Sequence, residues 1–366
     1  GRGRLCGVMK TDVLERFSPA TRGWFRAAFA APTTAQVGSW EAISSGGHTL
    51  VVAPTGSGKT LSAFLWALDG LVSRPVPQER LKRCRVVYVS PMKALAVDVE
   101  RNLRAPLVGI GHESARLGLP APDVGVFVRS GDTLAADRRT FATHPRDILI
   151  TTPESLFLLL TSKAREALAG VETVILDEVH AVAGSKRGAH LALTLDRLDE
   201  LLERPAQRIG LSATVRPIEE VARYLAGGRP VTVVQPPSTK EWDLQIVVPV
   251  PDLGELGQPS DDLSGAAAGE ARRTSIWPHV EERLVDLIST HRSTLVFANS
   301  RRLAERLTAR LNELWEDGLA LAEGAELAPV ALASPENAAR GASPILARAH
   351  HGSVSKDQRA QIEDDL

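Results

Sequence analysis

Three things are nearly missing from this 366-residue sequence: cysteine, an excess of charge of either sign, and any long apolar run. The two cysteines, Cys6 and Cys84, stand far apart in unrelated surroundings. That excludes a disulfide framework and a cysteine-built metal cluster, and it points to a reducing compartment. Lysine and arginine number 43 against 44 aspartate and glutamate. A net charge of -1 gives no bulk attraction to a polyanion, so nucleic acid would have to be held by a local track. No segment approaches the length of a membrane-spanning helix, and the opening GRGRLCGVMK lacks the apolar core of a secretory signal. A soluble, cytoplasmic protein is the expectation.

What is present is alternation. From His48 to about Gln235, seven short β-branched runs (HTLVVAP, CRVVYVSP, VGVFVRS, DILITTP, ETVILDE, QRIGLSA and VTVVQ) are separated by amphipathic helical patterns. This predicts an α/β fold with a parallel sheet covered on both faces, whose ligands sit at the carboxyl ends of the strands. Residues 251–274 are rich in Gly, Pro, Ala, Ser and Asp and break the pattern. After them PHVEERLVDLISTH predicts a helix, STLVFANS a strand and SRRLAERLTARLNELWED a long helix. Ser355 and Gln358 have the spacing of a capping box at the start of a last helix. The length suits two domains. The expected division is an extension over 1–16, a first domain over 17–238, a linker over 239–275 and the start of a second domain over 276–366.

The densest chemistry lies in APTGSGKT, residues 53–60. Gly56 and Gly58 permit backbone conformations closed to other residues, so amides from Thr55 through Ser57 can turn around phosphate oxygens. Lys59 can reach the outer phosphates and the Thr60 hydroxyl can ligate Mg²⁺. A strand precedes the loop and a helix follows, which sets a positive helix end against the phosphates. Ala53 replaces the usual first glycine.

Asp177 and Glu178 end the apolar run TVIL. Alone, two carboxylates there read more often as a turn or cap; with the phosphate loop upstream they read as a magnesium ligand and a water-activating base. His180 could sense or transmit the state of the outermost phosphate. Ser212-Ala213-Thr214 follows at the end of the sixth run, and by itself such a tripeptide is an ordinary turn.

APTGSGKT, DEVH and SAT in this order resemble motifs I, II and III of superfamily-two helicases, which are built on two RecA-like P-loop NTPase domains with parallel sheets. YVSPMKALAVDVERNLRAPL, RSGDT, ILITTPESLFLLLTS, DEVHAVAGSKRGAHLALTLDRLD, STLVFANSRRLAERLTARLNEL and ARAHHGSVSKDQR are similar to the large helicase-related proteins, the Lhr family. The resemblance covers roughly Phe17 to the last residue, apart from the low-complexity segment. It implies ATP and Mg²⁺ as cofactors, 3′-5′ movement on single-stranded DNA, unwinding of DNA or RNA:DNA duplexes, and work in DNA repair. FAAPTTAQ resembles the family's Q motif, with Gln36 reading adenine and Phe29 packing nearby. Carried over by position, Lys59, Thr60, Asp177 and Glu178 would serve ATP, and Ser212 and Thr214 would couple hydrolysis to domain movement. Lys93, Thr152, Pro153, Asn299, Ser300 and Arg301 would contact nucleic acid.

The contact residues also have plainer readings. Lys93 can be a solvated charge at a helix start, Thr152 a helix cap, and Arg301 a partner of Glu305 on one helical face. His350 and His351 are as readily structural as functional, and a metal there would want a third ligand. Complete family members continue through motifs V and VI, the latter with arginines for the outermost phosphate, into a winged helix and a further domain. The expectation is therefore an amino-terminal fragment that holds ATP and turns it over weakly. Two rivals remain open: an RNA helicase of the DEAD-box kind, and a switch that uses ATP only to change partners.

Overall fold

The computed structural model describes residues 12–213, 215–237, 243–250, 276–322 and 345–365, with the side chains of 93–98, 101, 320–322, 356, 357, 360 and 364 excepted. The chain divides into two compact units, Gly1–Lys240 and Glu241–Leu366. No described helix is long and apolar enough to cross a membrane.

In the first unit all seven expected runs become strands: β1 His48–Val52, β2 Val86–Val89, β3 Val126–Arg129, β4 Ile148–Thr151, β5 Thr173–Leu176, β6 Gln207–Ser212 and β7 Val231–Val234. They form one sheet in the order β3-β4-β2-β5-β6-β1-β7, every neighbouring pair parallel. Successive residues point to opposite faces, so each strand feeds two cores. Leu50, Val87, Leu149 and Val174 face one side with Leu156, Leu191, Leu195 and Leu225 from the helices Pro153–Leu160, Lys186–Leu201 and Ile218–Ala226. Val51, Tyr88, Ile150, Ile175 and Leu211 face the other with Phe64, Leu68 and Leu103 from the helices Lys59–Val72 and Lys93–Arg116.

A third core lies at the start of the chain. Phe17 and Phe25 meet Trp40 edge-on, at centroid distances of 4.9 and 5.4 Å. Trp40 is 0% exposed and its indole N–H donates to the Ser62 carbonyl at 2.9 Å, locking the helix Thr34–Ile43 to the helix that follows the phosphate loop.

In the second unit the helices Trp277–Thr290 and Arg301–Ala322 pack together, with Arg310 Nε reaching Glu281 at 3.4 Å. Asn312 clamps the segment near residue 346: its Oδ1 accepts from the amides of Leu346 and Ala347, and its Nδ2 donates to the Ala347 carbonyl. The strand expected in STLVFANS does not form. No described residue of this unit pairs with it as a ladder, and Leu295, Val296 and Phe297 stand exposed. A strand needs a neighbour for its amides and carbonyls, and apolar alternation alone does not supply one.

Candidate nucleotide site

Sheet order builds the site. β6 lies between β1 and β5, so the loop after β1 and the acidic pair after β5 are two strand spacings apart, about 10 Å. Backbone bonds extend the sheet past the strand ends. Ala53 N donates to Ser212 O at 3.1 Å, Asp177 N to Val89 O at 2.9 Å, and Val179 N to Leu211 O at 3.0 Å. The chemistry therefore starts from a rigid edge.

Gly56 and Gly58 both adopt φ of +80°, and Gly58 caps the helix Lys59–Val72. Its positive φ favours glycine at Gly58, and a Cβ added there would lie 2.5 Å from Gln36 Nε2, so the Gln36 amide would have to move away from the loop. Thr33 Oγ1 donates to Ser57 O at 2.7 Å, tying the loop to the preceding helix. Thr33 and Gln36 also form a reciprocal capping box. Gln36 is thus held by its own turn through Oε1 and lays Nε2 against the loop. Phe29, expected near the nucleotide, is partly exposed with its ring 4.8 Å from Phe25.

The loop fits a triphosphate. Ser57 Oγ is buried without a hydrogen-bond partner. Lys59 is only 5% exposed, and no described residue accepts from its ammonium group. A buried hydroxyl is costly to leave unmatched, and phosphate oxygens would satisfy it and pair with the neighbouring ammonium. Thr60 is half-buried in the first turn of the same helix, and Thr55 is exposed at the loop's rim.

Asp177 is 7% exposed and held at both oxygens. The Tyr88 hydroxyl donates to Oδ2, and the Glu178 amide donates to Oδ1 at 3.0 Å. Tyr88 stacks on Phe64 at 4.7 Å. Burial, and then the charge of Asp177, push the Tyr88 phenol far above its ordinary pKa, so it stays a neutral donor. Glu178 has φ of +45°, alone among described non-glycine residues. Strain of this kind costs about 1–3 kcal/mol and collects at functional sites.

Three groups converge on His180 Nδ1: Ser212 Oγ at 3.1 Å, the Ala213 amide at 3.4 Å and Glu178 Oε2 at 3.3 Å. An acceptor Nδ1 takes the serine and amide protons; a protonated ring would donate to Glu178 instead. His180 therefore links the acid pair to the end of β6. Thr214, expected to share in this, lies outside the described residues.

The expected nucleic-acid residues are placed as follows. Lys93 opens the helix Lys93–Arg116, and its side chain lies outside the described set. Thr152 is buried and caps the helix Pro153–Leu160, its Oγ1 accepting from Ser155 N at 3.4 Å, with Pro153 buried behind it. Asn299 and Ser300 are exposed, and Ser300 Oγ accepts from Leu303 N at 3.2 Å. Arg301 donates to Ser353 Oγ at 3.1 Å rather than pairing with Glu305, which contacts His351 Nε2 at 3.0 Å. His350 Nε2 lies 2.9 Å from Glu363.

Sequence reasoning missed Thr33 and Tyr88. Thr33 had a signal, the T-x-x-Q spacing of a capping box. Tyr88 had none, since it occupies an ordinary core position of β2.

The DEAD/DEAH box helicase family model matches residues 33–221. Over 362 residues the chain is 59% identical to the Lhr helicase/probable uracil glycosylase of Mycolicibacterium smegmatis, covering 97% of this chain and 23% of that protein. It is 36% identical to the ATP-dependent helicase Lhr-Core of Sulfolobus acidocaldarius, covering 99% of this chain and 37% of that protein. Among solved structures it resembles Mycobacterium smegmatis helicase Lhr bound to ssDNA and AMP-PNP, with a TM-score of 0.73 and 59% identity, over 97% of this chain and 40% of that one. The chain thus spans well under half the length of these relatives.

Proposed function

This chain belongs to the DEAD/DEAH box helicase family, in its Lhr group, and on that premise we propose that it is the ATP-driven motor portion of a 3′-5′ DNA helicase. The observation that carries the reading is the pairing of an unmatched phosphate loop with an acid pair fixed two strands away. Lys59 and the loop amides hold the outer phosphates, and Gln36 and Phe29 border the base. Thr60 and Asp177 are the residues that would hold magnesium, which when bound offsets phosphate charge. Glu178 orients and deprotonates the attacking water. His180 relays the change at Glu178 to Ser212 and so to β6, where Thr214 is the adjoining coupling residue.

The nucleic-acid contacts are Lys93, Thr152 and Pro153 in the first unit and, separately, Asn299, Ser300 and Arg301 in the second. With Thr152 buried as a cap, its contribution is the amide-rich helix start it fixes rather than its hydroxyl. The substrates are single-stranded DNA as track and DNA or RNA:DNA duplexes for unwinding, in DNA repair. The solved relative's complex with ssDNA and AMP-PNP supports this reading.

The test is ATP hydrolysis with and without single-stranded DNA or RNA of matched sequence. Stimulation by DNA is expected; stimulation by RNA alone would overturn the DNA assignment and favour the RNA-helicase reading. Replacing Glu178 by Gln should keep ATP binding and abolish hydrolysis, which separates a motor from a nucleotide-operated switch.

A further inference from the structure

The amino edge of the first unit's sheet holds a histidine that the nucleotide site does not use. His48 opens β1, half-buried, with its backbone in register with Val231 of β7. The ladder between β1 and β6 begins one residue later, at Thr49 and Ile209. The His48 ring fills the gap, its Nδ1 accepting from the Arg208 amide at 3.0 Å. A side chain thus supplies the acceptor that backbone carbonyls give elsewhere in the sheet. That bond exists only while Nδ1 carries no proton.

The surroundings favour the neutral ring. Arg208 is 1% exposed, and its guanidinium donates to Asp199 Oδ2 at 2.8 Å, Asp196 Oδ1 at 3.0 Å and Leu225 O at 3.1 Å. Arg229, in the turn before β7, donates to the same Asp199 oxygen at 3.0 Å and to Ala226 O at 2.9 Å. Charge therefore reaches the ring from three elements: Arg208 on β6, Asp199 on the helix Lys186–Leu201, and Arg229 before β7. The one carboxylate among them is already spent on both arginines. Burial, then Arg229 and Arg208, hold the His48 pKa below the ordinary 6.5, against the smaller pull of Asp199.

We propose that His48 is an acid-sensitive latch on the amino end of β6. Neutral, its ring extends the β1–β6 ladder to Arg208. Protonated, Nδ1 turns from acceptor to donor against a backbone N–H and stands beside two guanidinium groups, so the latch opens. The opening is local, because Gln207 Nε2 still donates to Ile43 O and to Gly47 O, both at 2.8 Å. The far end of β6 carries Ser212, the partner of His180, and β6 lies between the two strands that lead into the nucleotide site. A fold that favours the neutral ring gains full stability from it above pH 6.5. That gain is lost as pH falls below this value, since the open form takes up the proton first.

The test compares the whole chain with its His48→Asn variant, whose side-chain oxygen takes the place of Nδ1 and accepts from the same amide without titrating. Amide hydrogen exchange at Arg208, corrected for the intrinsic rate at each pH, is followed from pH 7.5 to 5.5, beside thermal melting and the ring titration of His48. Wild-type protection should fall by up to about tenfold, the limit for one proton over one pH unit, while that of the variant stays constant. The wild type should also lose more melting temperature over this range than the variant does. Arg229→Gln removes one of the two cations and leaves His48 in place, and it should lessen both losses. Titration of the His48 ring at or above its ordinary value would overturn the latch. So would an equal fall in Arg208 protection in the wild type and His48→Asn. Undiminished losses in Arg229→Gln would overturn it as well, independently of how His48→Asn folds.

Discussion

The orientation of the Asp177 side chain is set by Tyr88 and by the backbone. With the phenol on one oxygen and the Glu178 amide on the other, the buried carboxylate cannot rotate. Replacing Tyr88 by Phe leaves the ring stack on Phe64 intact and strips one oxygen of its donor. The expected outcome is about 1–3 kcal/mol less stability and, on the proposed reading of Asp177 as a magnesium ligand, ATP turnover lowered about tenfold or more, the scale on which groups that orient such a ligand contribute. Steady-state turnover against magnesium concentration checks this; wild-type turnover in the variant would remove Tyr88 from the site. At this scale the sequence was only partly legible. Lys59, Asp177 and Glu178 stand in spacings that their chemistry dictates. Tyr88 occupies a position that β-branched neighbours also fill, and what distinguishes it is a partner across the fold.

The strands were legible as elements because the inner ones are buried on both faces and read as continuous apolar runs, a pattern that the only partly buried edge strands β3 and β7 share; all seven appear in the sheet. STLVFANS carries the same signal, yet it has no ladder partner among the described residues and stays irregular. Gln36 and Thr152 both belong to caps, a role the sequence offered for Thr152 and not for Gln36, and the cap geometry puts Gln36 against Gly58. The helix Thr34–Ile43 reaches that position through Trp40, wedged among aromatic rings and bonded to Ser62 O. Trp40→Ala is expected to cost about 3–5 kcal/mol, measured by urea denaturation. A loss below about 1 kcal/mol, the scale of an ordinary surface change, would mean that the helix is held elsewhere.

For the whole molecule, the balance of charge has a consequence: affinity for a polyanion must come from particular residues rather than from a field. In the first unit the loop after β1 holds both a buried hydroxyl without a partner, Ser57, and a largely buried lysine, Lys59. The measurement that tests the central claim most directly is calorimetric titration of the chain with AMP-PNP and magnesium, wild type against Lys59→Ala. The phosphate-loop account predicts saturable binding by the wild type and a loss of at least about tenfold in the variant, the scale of a charge-assisted contact of 1.5–3 kcal/mol. Equal affinity of the two proteins, or no binding by either, would contradict it.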